Sequence, residues 1–124
     1  MLPDRLLGKR KMSELLHRGE YLALYDDNGW EYIVRVRSTG VAVLVPVTSE
    51  GEIVLVEQHR VATGGAVIEL PAGMVGDEDE NESAIAAAGR ELEEETGYRA
   101  GSMELIMTGP PSAGAMAECP VFYY

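Results

Sequence analysis

Positive charge is scarce in this chain: 10 lysines and arginines stand against 21 aspartates and glutamates among 124 residues, a formal charge of −11. That balance argues against a nucleic-acid backbone or an anionic membrane as partner, because both select a basic surface. Any phosphate must be met by local cations. Cysteine is nearly missing, and with Cys119 alone no internal disulfide can form, which fits a reducing compartment. The two histidines, His17 and His59, are too few for a three-histidine zinc site. No apolar run reaches signal-peptide or membrane-spanning length. The longest, Val41 to Val47, is a strand's length, and Arg5, Lys9, Arg10 and Lys11 near the N-terminus introduce no longer one. A cytoplasmic protein is expected. Repeats, low-complexity tracts and linkers are absent too, and 46% apolar with 25% charged residues places the chain in the globular range, with length for one core.

What is present reads as strands around one helix. In YLALYDDNGWEYIVRVR, Asn28-Gly29 separates two β-rich runs, the pattern of a hairpin whose turn needs positive φ. Trp30, Tyr32, Val34 and Val36 share one face of its second arm. GVAVLVPVTSEGEIVLVEQHR reads as a second pair of strands around Ser49-Glu50-Gly51, and its aliphatic runs suggest central, doubly covered positions. A short strand is expected over Ala66 to Leu70, after which PAGMVGDEDEN should break regular structure. A helix follows, with Asp79 or Asn81 as its cap and Gly97 at the left-handed position that ends it. Strands near Met103 to Met107 and in CPVFYY, separated by the loop TGPPSAGAMAE, complete the order.

The helix carries an electrostatic anomaly. Glu91 lies one turn from both Glu94 and Glu95, so three carboxylates share a face and repel one another. They also crowd the C-terminal half, where the helix dipole disfavours negative charge by about 0.3–1 kcal/mol per exposed group. Arg90, four residues before Glu94, relieves only part of this. One reading is a solvated acidic face. The other is a site for a hard divalent cation, which prefers oxygen ligands on a rigid face with positions left open for phosphate and water.

The full spacing favours the second reading. Gly76, Glu82 and the run Arg90-Glu91-Leu92-Glu93-Glu94-Glu95-Thr96-Gly97-Tyr98 match G-x5-E-x7-R-E-U-x-E-E-x-G-U, where U is a bulky apolar residue. This resembles the Nudix box. In many members of the ADP-ribose branch the leading glycine is instead that of PAG, here Gly73. VEQHR, IELPAG and GWEYIVR are similar to segments of ADP-ribose pyrophosphatases in that superfamily, and SAGAMAE resembles S-P-G-x-x-x-E with Ala113 in place of the proline.

The resemblance implies an α/β fold, a Nudix-like α/β/α sandwich with a mixed sheet plus an N-terminal antiparallel hairpin. It implies a hairpin and dimerisation segment over residues 1–38 and a catalytic domain over 39–124, whose closing strands and helix would lie beyond Tyr124. Mg²⁺, or Mn²⁺, would be held by Glu91, Glu95, Glu94 and the backbone carbonyl of Ala72, with Glu82 as a further ligand or a structural tie. Glu118 would act as base, and Arg90 would orient the helix carboxylates. Arg60 would bind a substrate phosphate, and Trp30, with Glu31 beside it, would bind the base of a small nucleotide, across a homodimer interface. The implied reaction is hydrolysis of ADP-ribose to AMP and ribose 5-phosphate. Ala113 keeps open a nucleoside-diphosphate-sugar hydrolase, for example one acting on GDP-mannose, and a non-catalytic nucleotide sensor is a further alternative.

Overall fold

The computed structural model describes residues 13–124, so the basic cluster of Arg5, Lys9, Arg10 and Lys11 lies outside the described residues. Strands β1 (Glu14–Arg18), β2 (Leu22–Asp27) and β3 (Trp30–Arg35) form an antiparallel sheet in that order. The expected hairpin is its second half. Asn28 and Gly29 both take positive φ, 54° and 89°, giving the turn whose twist matches that of the strands, and the Asp26 carboxylate accepts a 2.9 Å bond from the Gly29 N–H. β1 carries little sequence signal, because all five of its residues are exposed and a bulge between Leu15 and His17 interrupts its period.

The central sheet is built from β4 (Gly40–Leu44), β7 (Ala72–Val75), β8 (Leu105–Thr108) and β9 (Val121–Tyr123), in the order β7-β4-β9-β8. β4 runs parallel to β9 and antiparallel to β7, so the sheet is mixed. β5 (Val56–Arg60) and β6 (Gly65–Glu69) make a separate antiparallel ribbon. β7 is a strand where PAGMVG was expected to break regular structure; irregular chain begins only at Gly76, whose φ is +76°. The central position expected for the run ending in β5 is filled by others, since β7 and β9 occupy the two edges of β4 and only a single bridge, Val47 with Ile53, links the two arms. Ile53 and Leu55 are accordingly exposed.

Helix α1 (Ala84–Thr96) packs against β4 and β7. Its cap is Ser83, whose hydroxyl accepts from the Ala86 N–H, whereas Asp79, one of the two residues expected there, accepts from the Asn81 N–H in the preceding turn. Gly97 ends the helix in the left-handed region, as expected. Ala87, Ala88 and Leu92 form the buried stripe of α1 and meet Ala42, Leu44, Val75 and Tyr123 in the core. Alanine at 84, 87 and 88 brings the helix axis close to the sheet. One turn on, helical spacing from that stripe reaches Glu91 and Glu95. Carboxylates therefore continue the face that alanine begins, over β7. Among the described residues α1 is the only α-helix, and none is long and apolar enough to cross a membrane.

Candidate active site

The close approach of α1 to β7 depends on Gly73. A Cβ at that position would fall within the side chain of Glu91, among its Cγ, Cδ and Oε1 atoms. The bare backbone of Gly73 thus leaves a cradle that the Glu91 carboxylate fills. Gly76 has a different reason to be glycine: its positive φ, and a Cβ there would crowd Thr39 Oγ1 at 2.8 Å. Both candidate leading glycines are structurally required.

Arg90 organises the acidic side of the helix. Its Nε donates to Glu82 Oε1 at 3.0 Å and its Nη2 to Glu82 Oε2 at 3.2 Å, a two-point clasp. Nη1 donates to Glu91 Oε1 at 2.9 Å and to Glu94 Oε2 at 3.3 Å, and Asp77 lies 3.6 Å from Nη2. The bond to Glu82, with smaller help from Glu91, holds the guanidinium well above its ordinary pKa, and the same bond holds Glu82 below the usual carboxylate range. Glu91 goes the other way. Burial raises its pKa against the pull of Arg90, and the charges of Glu94 and Glu95 add to the rise.

Glu95 is held without a counter-charge. Gln58 Nε2 donates to its Oε1 at 3.2 Å, and the Ala72 N–H donates to its Oε2 at 3.3 Å. Among the described residues no three acidic, histidine or cysteine side chains are gathered into a ready ligand shell. The donor set nevertheless fits a hard divalent cation. It consists of carboxylates only, and Gly73 admits Glu91 between helix and strand. Glu91, Glu94 and Glu95 are the residues that would hold the cation.

A second group forms at the edge of β3. The loop carrying Glu118 runs beside that strand: the Ile33 N–H donates to Ala115 O and the Ala117 N–H to Ile33 O, both at 2.9 Å. Trp30 Nε1 donates to Gly114 O at 2.8 Å, and Arg35 Nε donates to Glu118 Oε1 at 2.9 Å. The Glu118 side chain is only 10% exposed, whereas Trp30 as a whole residue is 62% exposed and offers its ring to solvent. Trp30 was expected to reach a site across a dimer interface, whereas this loop brings its segment beside that of Glu118 within one chain. Glu31 is exposed, paired in register with Asp26.

Arg60 sits apart from both groups in an ion pair with Glu69 at 2.8 Å. It alternates with Gln58 on one face of β5, the face that meets Glu95. Three partners escaped sequence reasoning: Gln58, Arg35 and Glu69. The i, i+2 spacing of Gln58 and Arg60 was the one available signal; the pairing of Arg35 with Glu118 spans 83 residues and had none.

A mixed sheet backed by a helix, with a carboxylate cluster clamped by one arginine over a glycine strand, defines a domain class suited to hold a divalent cation. The chain belongs to the Nudix family: the family model described as NUDIX domain matches residues 37–118. It is 38% identical over 83 residues to the methanol dehydrogenase activator of Bacillus methanolicus, and 38% identical over 83 residues to the ADP-ribose pyrophosphatase of Bacillus subtilis. Each alignment covers 67% of this chain and 43% of the relative. A GDP-mannose pyrophosphatase of Yersinia pestis is 30% identical over 93 residues, covering 70% of this chain and 45% of the relative. The chain thus spans less than half the length of these curated relatives. A crystal structure of an ADP compounds hydrolase superposes with a TM-score of 0.70 at 19% identity, over 90% of this chain and 63% of that one, and so shares the fold.

Proposed function

We propose that this chain is a pyrophosphohydrolase dependent on Mg²⁺ or Mn²⁺, cleaving the phosphoanhydride of a nucleoside diphosphate joined to a second moiety, with ADP-ribose as the favoured substrate. The observation that carries the reading is the carboxylate face of α1, where Glu91 and Glu95 stand over β7 and one guanidinium, that of Arg90, holds Glu94 beside Glu91. A divalent cation bound there would screen the pyrophosphate and make water more acidic. Arg90 keeps Glu82, Glu91 and Glu94 in place and is too engaged to leave them for substrate. Glu118 takes the proton of the attacking water, and the exposed face of Trp30 stacks on the base. Arg60 turns from Glu69 to the phosphate, for which its planar fork is suited. Water adds across the anhydride, giving AMP and ribose 5-phosphate.

Similarity to an ADP-ribose pyrophosphatase supports the substrate choice. A second reading, a nucleoside-diphosphate sugar such as GDP-mannose, is favoured by Ala113 and by similarity to a GDP-mannose pyrophosphatase. The intact carboxylates count against a non-catalytic sensor. The same chain would act as a homodimer, a reading supported by exposed Leu15, Leu16, Tyr21, Leu22 and Trp30 on the N-terminal sheet.

The test is a panel of ADP-ribose, nucleoside-diphosphate sugars, dinucleoside polyphosphates and nucleoside triphosphates with Mg²⁺, products resolved, in wild type and Glu95→Gln. ADP-ribose should be cleaved fastest, and the variant should lose several orders of magnitude in kcat while remaining folded. Near-wild-type turnover by folded Glu95→Gln would overturn the metal assignment, and preference for GDP-mannose would move the substrate to the second reading.

A further inference from the structure

Glu95 differs from its neighbours in what holds it. Glu91 and Glu94 share their oxygens with the Arg90 cation, so part of their charge is already compensated. Glu95 is met by two neutral donors, one on each oxygen: the Gln58 amide at 3.2 Å and the Ala72 N–H at 3.3 Å. A carboxylate has about four lone-pair directions, so two neutral bonds fix its plane, leave its charge whole and keep one direction free on each oxygen.

We propose that Gln58 is a positioning residue for the divalent-cation site, holding Glu95 in the orientation in which it binds the ion. This rests on the reading of the α1 carboxylates as a cation site. Gln58 is well placed for the task. It projects from β5, in a ribbon outside the central sheet, and its amide links that ribbon to the helix. Glu95 is thereby gripped from two independent pieces of structure, β5 through a side chain and β7 through the backbone. Loss of the amide leaves the Ala72 N–H as a single-point hold, about which the carboxylate can rotate.

The test uses the full chain and Mn²⁺ alone, without substrate, counting free Mn²⁺ by electron paramagnetic resonance. Gln58→Met keeps the length and apolar stem and removes the donor; Gln58→Asn keeps the amide but shortens the reach by one methylene. Removing a partner that orients a metal ligand typically costs about 10–100-fold in metal affinity, so both variants should bind Mn²⁺ at least about 10-fold more weakly than wild type, with apo melting temperatures unchanged. Weakening restricted to Gln58→Met would still support the donor role and correct the reach. Wild-type Mn²⁺ affinity in both variants would overturn the proposal, as would weakening that merely follows a fall in apo stability. Glu95→Gln separates the two levels. If wild type binds no Mn²⁺, or Glu95→Gln leaves binding intact, the cation reading itself fails. If Glu95→Gln abolishes binding while the Gln58 variants do not weaken it, only the role of Gln58 fails.

Discussion

Replacing Gly73 with alanine puts a methyl group where Glu91 lies, since the new Cβ would overlap Glu91 Cγ, Cδ and Oε1. Retreat is difficult on either side. Gly73 is paired with fully buried Ala42 in the sheet, and α1 is seated on the same strands through Ala87 and Ala88. Glu91 must therefore swing out, giving up its 2.9 Å bond to Arg90, or the helix must lift. Overpacking of this kind costs about 1–3 kcal/mol. Alanine in a strand recovers about 0.5–1 kcal/mol relative to glycine, and a displaced bond to a charged group loses about 1.5–3 kcal/mol. Lifting the helix and displacing Glu91 are alternatives, so the net loss by either route is about 1.5 kcal/mol, or roughly 4–8 °C in melting temperature for a domain of this size. The decisive measurement is a double-mutant cycle by thermal or urea unfolding of the apo protein. In a Glu91→Ala background the methyl group no longer meets that side chain, so Gly73→Ala should stabilise by the about 0.5–1 kcal/mol that alanine recovers over glycine, and the coupling should be about 2 kcal/mol. An equal cost for Gly73→Ala in both backgrounds would show that Glu91 does not occupy the cradle, and the geometry argued for the site would fall with it.

Arg60→Ala should lower kcat/KM about 100-fold, as for one charge-assisted donor worth about 2–3 kcal/mol, and Arg60→Lys should restore only part of it; an unchanged value would place the phosphate elsewhere. Arg90 holds Glu82 below its ordinary pKa of 4.5, so the stability of this pair is complete above the unfolded-state value and is lost as pH falls through the lowered folded value. Melting temperatures from about pH 7 to pH 3 should therefore decline less steeply in Glu82→Gln, and the difference from wild type cancels the opposite contribution of Glu91, whose raised pKa favours the folded state as it protonates. Solution mass should report a dimer. If each site takes Trp30 from the neighbouring chain, mixed Trp30→Ala and Glu95→Gln subunits regain activity above either parent, whereas no gain after confirmed exchange would place Trp30 in the site of its own chain.

The helix was legible because its evidence is local. Alanine spacing, the carboxylates at 91, 94 and 95, and Gly97 all fall within one short segment, and the hairpin turn at Asn28-Gly29 is set by the positive φ that both residues adopt. Pairing partners were less legible. β4 has aliphatic residues on both faces, which announces a central strand, but nothing local says that β7 and β9 rather than β5 will flank it. The N-cap is Ser83 rather than Asp79 or Asn81, because residues able to cap stand close together there and only backbone geometry chooses among them. In the site, residues on one helix could be grouped from spacing alone. Gln58 with Glu95 and Arg35 with Glu118 meet across 37 and 83 residues, and such meetings follow from tertiary packing.

The loop that lies along β3 has a consequence for how the molecule assembles. Closing about 80 residues of free chain costs about 4 kcal/mol beyond a constant, on the scaling (3/2)RT ln n, which consumes much of what a few hydrogen bonds and one ion pair return. Once β4 and β9 have paired in parallel, however, only a few residues separate that pairing from Arg35 on one side and from Glu118 on the other. The closure penalty then becomes small. Trp30 and Glu118 should thus meet late in folding, after the central sheet. Mutations that weaken the β4–β9 pairing, at Val43 or Phe122, should loosen this loop first, and hydrogen exchange at Ile33 and Ala117 should report it while the helix stays protected.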